Sequence, residues 1–135
     1  EKEFQLRIGN INNLMNEAVS YDAERVETVK TRLRTALDEL KVNVDENRFE
    51  QELIYYLEKL DITEEKVRLT NHLDYFLDTI KGTEANGRKL GFITQEMGRE
   101  INTMGSKSNH AQMQKLVVQM KDELEKIKEQ VLNVL

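Results

Sequence analysis

No proline interrupts any of the 135 residues, and that absence constrains the fold more than any other feature of the sequence. Proline removes a backbone donor and clashes with the preceding turn, so it breaks helix interiors. A chain without it is free to build long helices. Aromatic residues make up 6% and charged residues 33%, a balance that suits surface-rich helices better than a compact α/β domain. Cysteine is absent as well, which excludes a disulfide frame, a thiolate metal site and a cysteine nucleophile. It also fits a reducing cytoplasm. No apolar run approaches the roughly 20 residues of a bilayer span, so no membrane partner is expected. The opening Glu1-Lys2-Glu3-Phe4 has neither the basic start nor the apolar stretch of a signal peptide. The chain starts without Met, as expected of a fragment or a processed chain.

Hydrophobic spacing predicts helices throughout. Phe4, Ile8, Ile11, Met15, Ala18, Val26, Val29, Leu33, Leu37 and Leu40 recur at intervals of mostly three and four, the pattern of one buried stripe. They predict one helix over about 3–41, interrupted in its stripe at Asp22, and about 55–60 Å long. Such a length needs a partner helix or subunit to cover it. The run 42–47 reads as a connector. A second segment, about 46–81, carries Phe49, Leu53, Tyr56, Leu57 and Leu60, then Val67, Leu69, Leu73, Phe76, Leu77 and Ile80. Asp61 or Thr63 offers helix-start chemistry between the two halves, as a kink or as a true break. Lys81-Gly82-Thr83 is a stop, because glycine tolerates a left-handed cap.

A third helix, about 86–105, buries Leu90, Ile93, Met97, Ile101 and Met104. Gly87, Gly91 and Gly98 lie in or beside it, each costing about 1 kcal/mol in a helix interior, which close packing of a neighbour would explain. After a break at 106–109, a last helix over about 109–133 carries Met113, Leu116, Val117, Met120, Leu124, Ile127, Val131 and Val134 in a nearly heptad pattern. The expected fold is all-α, with four or five helices, the long ones antiparallel in an extended hairpin or bundle. Residues 1–45 would form a long N-terminal helix and 46–135 a helical domain.

Charge is uneven. Residues 1–85 carry a net −7 and residues 86–135 a net +2. The acidic total of −5 argues against a whole surface that grips nucleic acid, though not against a local basic patch. There is no phosphate-cradling lysine loop, nucleophile elbow or paired-histidine zinc helix. Carboxylates, arginines and two histidines remain. Asp61, Glu64, Glu65, Arg68 and His72 form one constellation, in which Glu65, Arg68 and His72 share a helix face. Carboxylate and imidazole together suit divalent-metal binding or acid–base work. Gln95, Glu96, Arg99, Glu100 and Thr103 form a second, with Glu96 and Glu100 able to recruit Mg²⁺ or Mn²⁺. Arg88, Lys89, Arg99 and Lys107, with Lys81, form a basic set suited to phosphate. A solvated, ion-paired face is the simpler account of each. His110 reads as an exposed histidine at a helix start.

These residues carry a family resemblance. Gly87-Arg88-Lys89-Leu90, Gln95-Glu96-Met97, Arg99-Glu100, Asn102-Thr103 and Gly105-Ser106-Lys107-Ser108 resemble the YicC/YloC signature GRKLDFLxQExNREaNTxGSKs. Asp61-Ile62, Glu64-Glu65, Arg68-Leu69 and His72-Leu73 resemble its DIxEEvxRLxxHL. Glu129-Gln130-Val131 and Asn133 resemble its REQVQNIE ending. The likeness covers most of the chain and is strong from about 46 to 133. Gly91 stands where aspartate is common, Gly98 where asparagine is common and Lys128 where arginine is common.

The resemblance implies a bacterial, cytoplasmic, stress-associated endoribonuclease that depends on a divalent metal, Mn²⁺ or Mg²⁺, acts on RNA and assembles as a homo-oligomer, with no small-molecule cofactor. Family members carry an N-terminal α/β region before this helical one, so the chain is expected to be a C-terminal fragment. The implied metal ligands or general base are Glu64, Glu65, His72, Glu96 and Glu100, with catalysis by Glu65, His72, Glu96 and Glu100. Arg68, Arg88, Lys89, Arg99 and Lys107 would bind phosphate. The alternative is a helical clamp or oligomerisation module without chemistry of its own.

Overall fold

The computed structural model describes residues 2–39, 45–82, 87–108 and 110–134. Six helical segments account for nearly all of them: α1 (Lys2–Ser20), α2 (Asp22–Glu39), α3 (Glu46–Leu60), α4 (Thr63–Lys81), α5 (Gly87–Lys107) and α6 (Ala111–Val134). The all-α expectation holds. The four or five helices become six segments because both long ones divide. Leu40, the connector's residues 42–44, Thr83, Asn86 and Asn109 lie outside the described residues.

The first division falls at Tyr21. The N–H of Tyr21 donates to Ala18 O at 3.2 Å and the N–H of Arg25 to Tyr21 O at 2.9 Å, so the chain turns once and resumes its helix. The single helix over 3–41 is thereby corrected to two. The second division is at Asp61–Ile62, and it is a break. The Asp61 N–H closes α3 on Glu58 O, while the Asp61 carboxylate accepts the Thr63 N–H at 3.0 Å and its hydroxyl at 2.6 Å. One residue thus ends one helix and opens the next. Ile62 is fully buried and anchors the corner. Asp45 caps α3 by accepting from the N–H groups of Asn47 and Arg48. Gly82 ends α4 with φ −69° and ψ 161°, an extended conformation, so the left-handed cap expected there is not used.

Four segments make a bundle. Around it, α1 lies between α4 and α6, and α5 lies between the same two. Neighbours run antiparallel: Phe4 meets Phe76 edge to face at 5.2 Å, while Met15 meets Thr70. The core is continuous, with Ile11, Met15, Leu69, Phe76, Leu90, Met97, Met104, Met120 and Ile127 essentially inaccessible. Burial of each such side chain contributes roughly 1.5–3 kcal/mol. All five apolar positions of the third expected stripe are buried; in the first, Leu33 is 39% exposed, and in the second, Tyr56 is 42% and Val67 54% exposed. The remaining pair, α2 and α3, shares a small separate core of Val29, Phe49 and Leu53 flanked by Leu37 and Leu57. Arg34 clamps it, donating to both Glu46 carboxylate oxygens at 2.8 and 2.7 Å and lying over the Phe49 ring. Among the described residues, no helix is long and apolar enough to cross a membrane.

The glycines of α5 divide by face. A Cβ on Gly98 would meet Leu124 at 3.3 Å, and one on Gly105 would meet Val117 at 3.1 Å, both from α6. Gly91 has open space, as does Gly9 on α1, so close packing accounts for Gly98 but not for Gly91. Gly9→Ala and Gly91→Ala are each expected to raise stability by about 0.5–1 kcal/mol through helix propensity. Gly105→Ala is expected to give no such gain; urea unfolding of the three variants checks this.

A polar clasp joins α1 to α6. Glu123 accepts from Arg7 Nη1 at 3.1 Å and Asn10 Nδ2 at 3.2 Å. Burial pushes the Glu123 carboxyl up, but the bonds from Asn10 and Arg7 outweigh it and hold the group below the ordinary glutamate range. Its stabilising effect is therefore complete above the unfolded-state value of about 4.3 and is lost as pH falls through the lower folded value. Glu123→Gln is expected to flatten the acid limb of stability against pH, measured as unfolding midpoints below about pH 4.3.

A carboxylate cluster on the α4–α5 seam

The chemistry-bearing residues of the two expected constellations meet where α4 crosses α5. Glu65 and Glu100 are 2% and 5% exposed, one from each helix. Buried carboxylates survive as charges only when paired and hydrogen-bonded. Arg68, half-exposed above them, provides that pairing across the seam. Its Nε donates to both oxygens of Glu100 at 2.8 and 3.0 Å, its Nη2 to Glu65 at 3.1 Å and its Nη1 to Glu64 at 3.2 Å. Planar, multidentate donation of this kind needs a guanidinium. These bonds, led by Glu100, raise the Arg68 pKa further.

Lys107 completes the cluster from the last turn of α5. Its Nζ donates to both oxygens of Glu65 at 3.0 and 3.1 Å and to the main-chain oxygen of Asp61 at 3.0 Å. Arg25 of α2, 3% exposed, donates from Nη1 to the main-chain oxygen of Lys107 at 3.3 Å. The cluster thus ties the α2 end, the α3–α4 corner and the end of α5 to one another. Asp61 is held below the ordinary aspartate range, chiefly by the Thr63 hydroxyl. Arg25 was not anticipated, although its spacing from Ala18 and Val29 places a cation on the apolar stripe. A cation at such a position signals a buried partner.

The other expected site residues distribute as follows. Glu64 is 79% exposed and, among the described residues, is held by Arg68. His72 lies half-buried on α4 one turn beyond Arg68, and Glu96 on α5 one turn before Glu100; the antiparallel register sets these two turns alongside each other. Glu96 lies 3.8 Å from the exposed Arg99. The basic set does not converge. Lys107 belongs to the carboxylate cluster, Arg99 points outward, and the exposed Arg88 and Lys89 begin α5, about 28 Å of helix from Lys107. Lys89 sits over the Tyr75 ring at 4.9 Å.

His110 is packed rather than exposed. Its ring stacks on Tyr21 at 5.2 Å, its Nε2 lies 3.7 Å from Glu24, and its side chain is 18% exposed. A cavity of about 700 Å³ lies far from the carboxylates, between α2 and α3, lined by Leu33, Leu37, Phe49, Leu53 and Tyr56 among others.

The donor set does not fit a resident divalent ion. Such an ion requires several free oxygens converging on one point, whereas Glu65 and Glu100 already accept from Arg68 and Lys107. Among the described residues, no three His, Asp or Glu side chains are placed to hold a metal. What the arrangement can do is orient a guanidinium. Two corners of Arg68 are fixed by buried carboxylates, and the third faces solvent through Glu64.

Lys107→Met leaves buried Glu65 with Arg68 as its remaining partner among the described residues and opens the Asp61 carbonyl. It is expected to lower the unfolding free energy by about 1–3 kcal/mol, whereas Lys107→Arg retains most of it; urea unfolding of both variants measures the difference.

Residues 18–135 match the family described as "Endoribonuclease YicC-like, C-terminal". The chain is similar to a "Probable endoribonuclease YicC" of Clostridioides difficile, 39% identical over 98% of this chain and 46% of the relative. It is also similar to one of Haemophilus influenzae, 36% identical over 78% of this chain and 37% of the relative. The chain therefore spans less than half the length of these relatives. With the family match covering all of α2 to α6, the chain belongs to the YicC-like endoribonuclease family and corresponds to its C-terminal region.

Proposed function

We propose that this chain is the helical part of a YicC-type endoribonuclease acting on single-stranded RNA in the cytoplasm, as a homo-oligomer. The observation that carries the reading is the oriented Arg68. A surface Arg–Glu pair four residues apart on a helix is worth only a few tenths of a kcal/mol, so an RNA phosphate can replace Glu64 on Nη1. Glu100 and Glu65 would keep the other two corners in place, presenting a preorganised donor to a phosphate oxygen. The freed Glu64 carboxylate and the imidazole of His72, on the same helix, are then the groups in reach to move a proton, with Glu96 across the seam. Dependence on Mn²⁺ or Mg²⁺ is proposed on the family likeness alone, with no step assigned to the ion.

A second reading is a helical RNA clamp or oligomerisation module without chemistry. It is favoured by the same cluster, since Glu65 and Glu100 are fully engaged in holding the fold. The separating experiment incubates a labelled single-stranded RNA with the chain in Mn²⁺, in Mg²⁺ and in EDTA, beside Arg68→Lys, His72→Ala and Glu96→Gln. Cleavage is expected to fall at least tenfold in Arg68→Lys, because an ammonium cannot reproduce the fork, and to be lost in His72→Ala. Binding without cleavage by the unmodified chain would leave the clamp. Neither binding nor cleavage would overturn the nuclease and the clamp, and leave the oligomerisation module.

A further inference from the structure

One line of α5 remains outside the cluster. At 100° per residue, Arg88, Phe92, Gln95, Arg99, Asn102 and Ser106 fall within a narrow stripe, and all six are exposed. Phe92 is 64% exposed and the Arg99 side chain 73% exposed. The stripe contains no carboxylate, in a chain whose net charge is −5. The Ser106 hydroxyl turns back onto the Asn102 main-chain oxygen at 2.9 Å, and Glu96, beside the stripe, lies 3.8 Å from Arg99; the stripe's own chemistry is two arginines, an exposed aromatic face and two primary amides.

We propose that this stripe binds single-stranded RNA, with Phe92 stacked on an unpaired base between phosphates held by Arg88 and Arg99. Gln95 and Asn102 reach base edges. The proposal rests on the reading of this chain as part of an RNA-cleaving protein and deepens it by naming the surface that takes the strand. Stacking on an exposed aromatic flanked by cations is the general means of holding unpaired nucleotides without a fixed sequence. Arg88 and Arg99 are separated by about 16 Å of helix rise, with Phe92 between them, so one strand can satisfy all three. An acidic peptide would use the arginines but leave the phenyl face and both amides unmatched. Glu96 and Glu100 lie about 80° and about 120° around the same helix from the stripe's centre, so the strand and the carboxylate cluster share α5.

The test measures anisotropy of a fluorescein-labelled, mixed-sequence single-stranded RNA titrated with the full chain in EDTA, where cleavage does not obscure binding. Phe92→Ala is expected to weaken binding about tenfold and Arg99→Gln severalfold, with unchanged thermal unfolding because both side chains are exposed. Phe92→Trp is expected to keep the affinity. The chain has no tryptophan, so the indole it introduces is the sole such fluorophore and should be quenched on RNA addition. A duplex of the same sequence should compete poorly. RNA binding by the unmodified chain that is indifferent to Phe92→Ala, with no indole quenching, would overturn the stripe while leaving the RNA reading intact. Equal competition by the duplex would overturn the stacking. Absence of binding by the unmodified chain would overturn the stripe together with the reading beneath it.

Discussion

Two carboxylates buried at one helix seam set the terms for the rest of this molecule. Carboxylates in an interior need cationic partners, and the register of α4 against α5 brings Arg68 to Glu100 and Lys107 to Glu65. Apolar seams tolerate repacking when volume is conserved; a paired buried charge does not tolerate displacement by a turn. The cluster therefore specifies alignment, while the core of Phe76, Met97, Met104 and Met120 supplies most of the burial.

That alignment gives α5 three distinct faces. Towards α6 it presents Gly98 and Gly105, which admit Leu124 and Val117 closely. Towards α4 it presents Glu100 and Lys107. Towards solvent it presents Arg88, Phe92, Gln95 and Arg99. Small, charged and aromatic residues sort by face because each meets a different medium: a neighbouring backbone, a paired charge or water. The α2–α3 pair stands under a weaker constraint. Its core of three buried residues is flanked by the exposed Leu33, Tyr55 and Tyr56, and it is tied to the bundle through Arg25 and the Asp61 corner.

Much of this was legible beforehand because helical burial has a period. The stripes of Leu90 to Met104 and of Met113 to Val131 fall on the core as expected, and the turn chemistry at Asp61 marks a real helix start. The division at Tyr21 was legible only as the interruption of the apolar stripe at Asp22, since nothing local forbids helix there: that the helix divides depends on the separate cores that α1 and α2 meet. Val67 read as apolar and therefore inside, but its seat on α4 is opposite the bundle. His110 read as exposed, and only the return of α6 past Tyr21 buries it. The functional residues followed the same division. Glu65, Arg68 and His72 could be grouped on one helix by spacing, as could Glu96 and Glu100, because neighbours on a helix are fixed by its geometry. The basic residues were grouped by nearness in sequence, and about 28 Å of helix separates those at its two ends.

The sequence by itself determined that this chain is helical, where most helices start and stop, and which face of each is apolar, because these depend on interactions spanning three or four residues. Its motifs also marked it as YicC-like. Only the tertiary structure decided that Glu65 and Glu100 would share one guanidinium, that Lys107 would leave the basic set to join them, and that Phe92 would remain on the outside. Those outcomes depend on which helices become neighbours and in what register. That choice is made by burial and charge pairing across dozens of residues, which local periodicity does not encode.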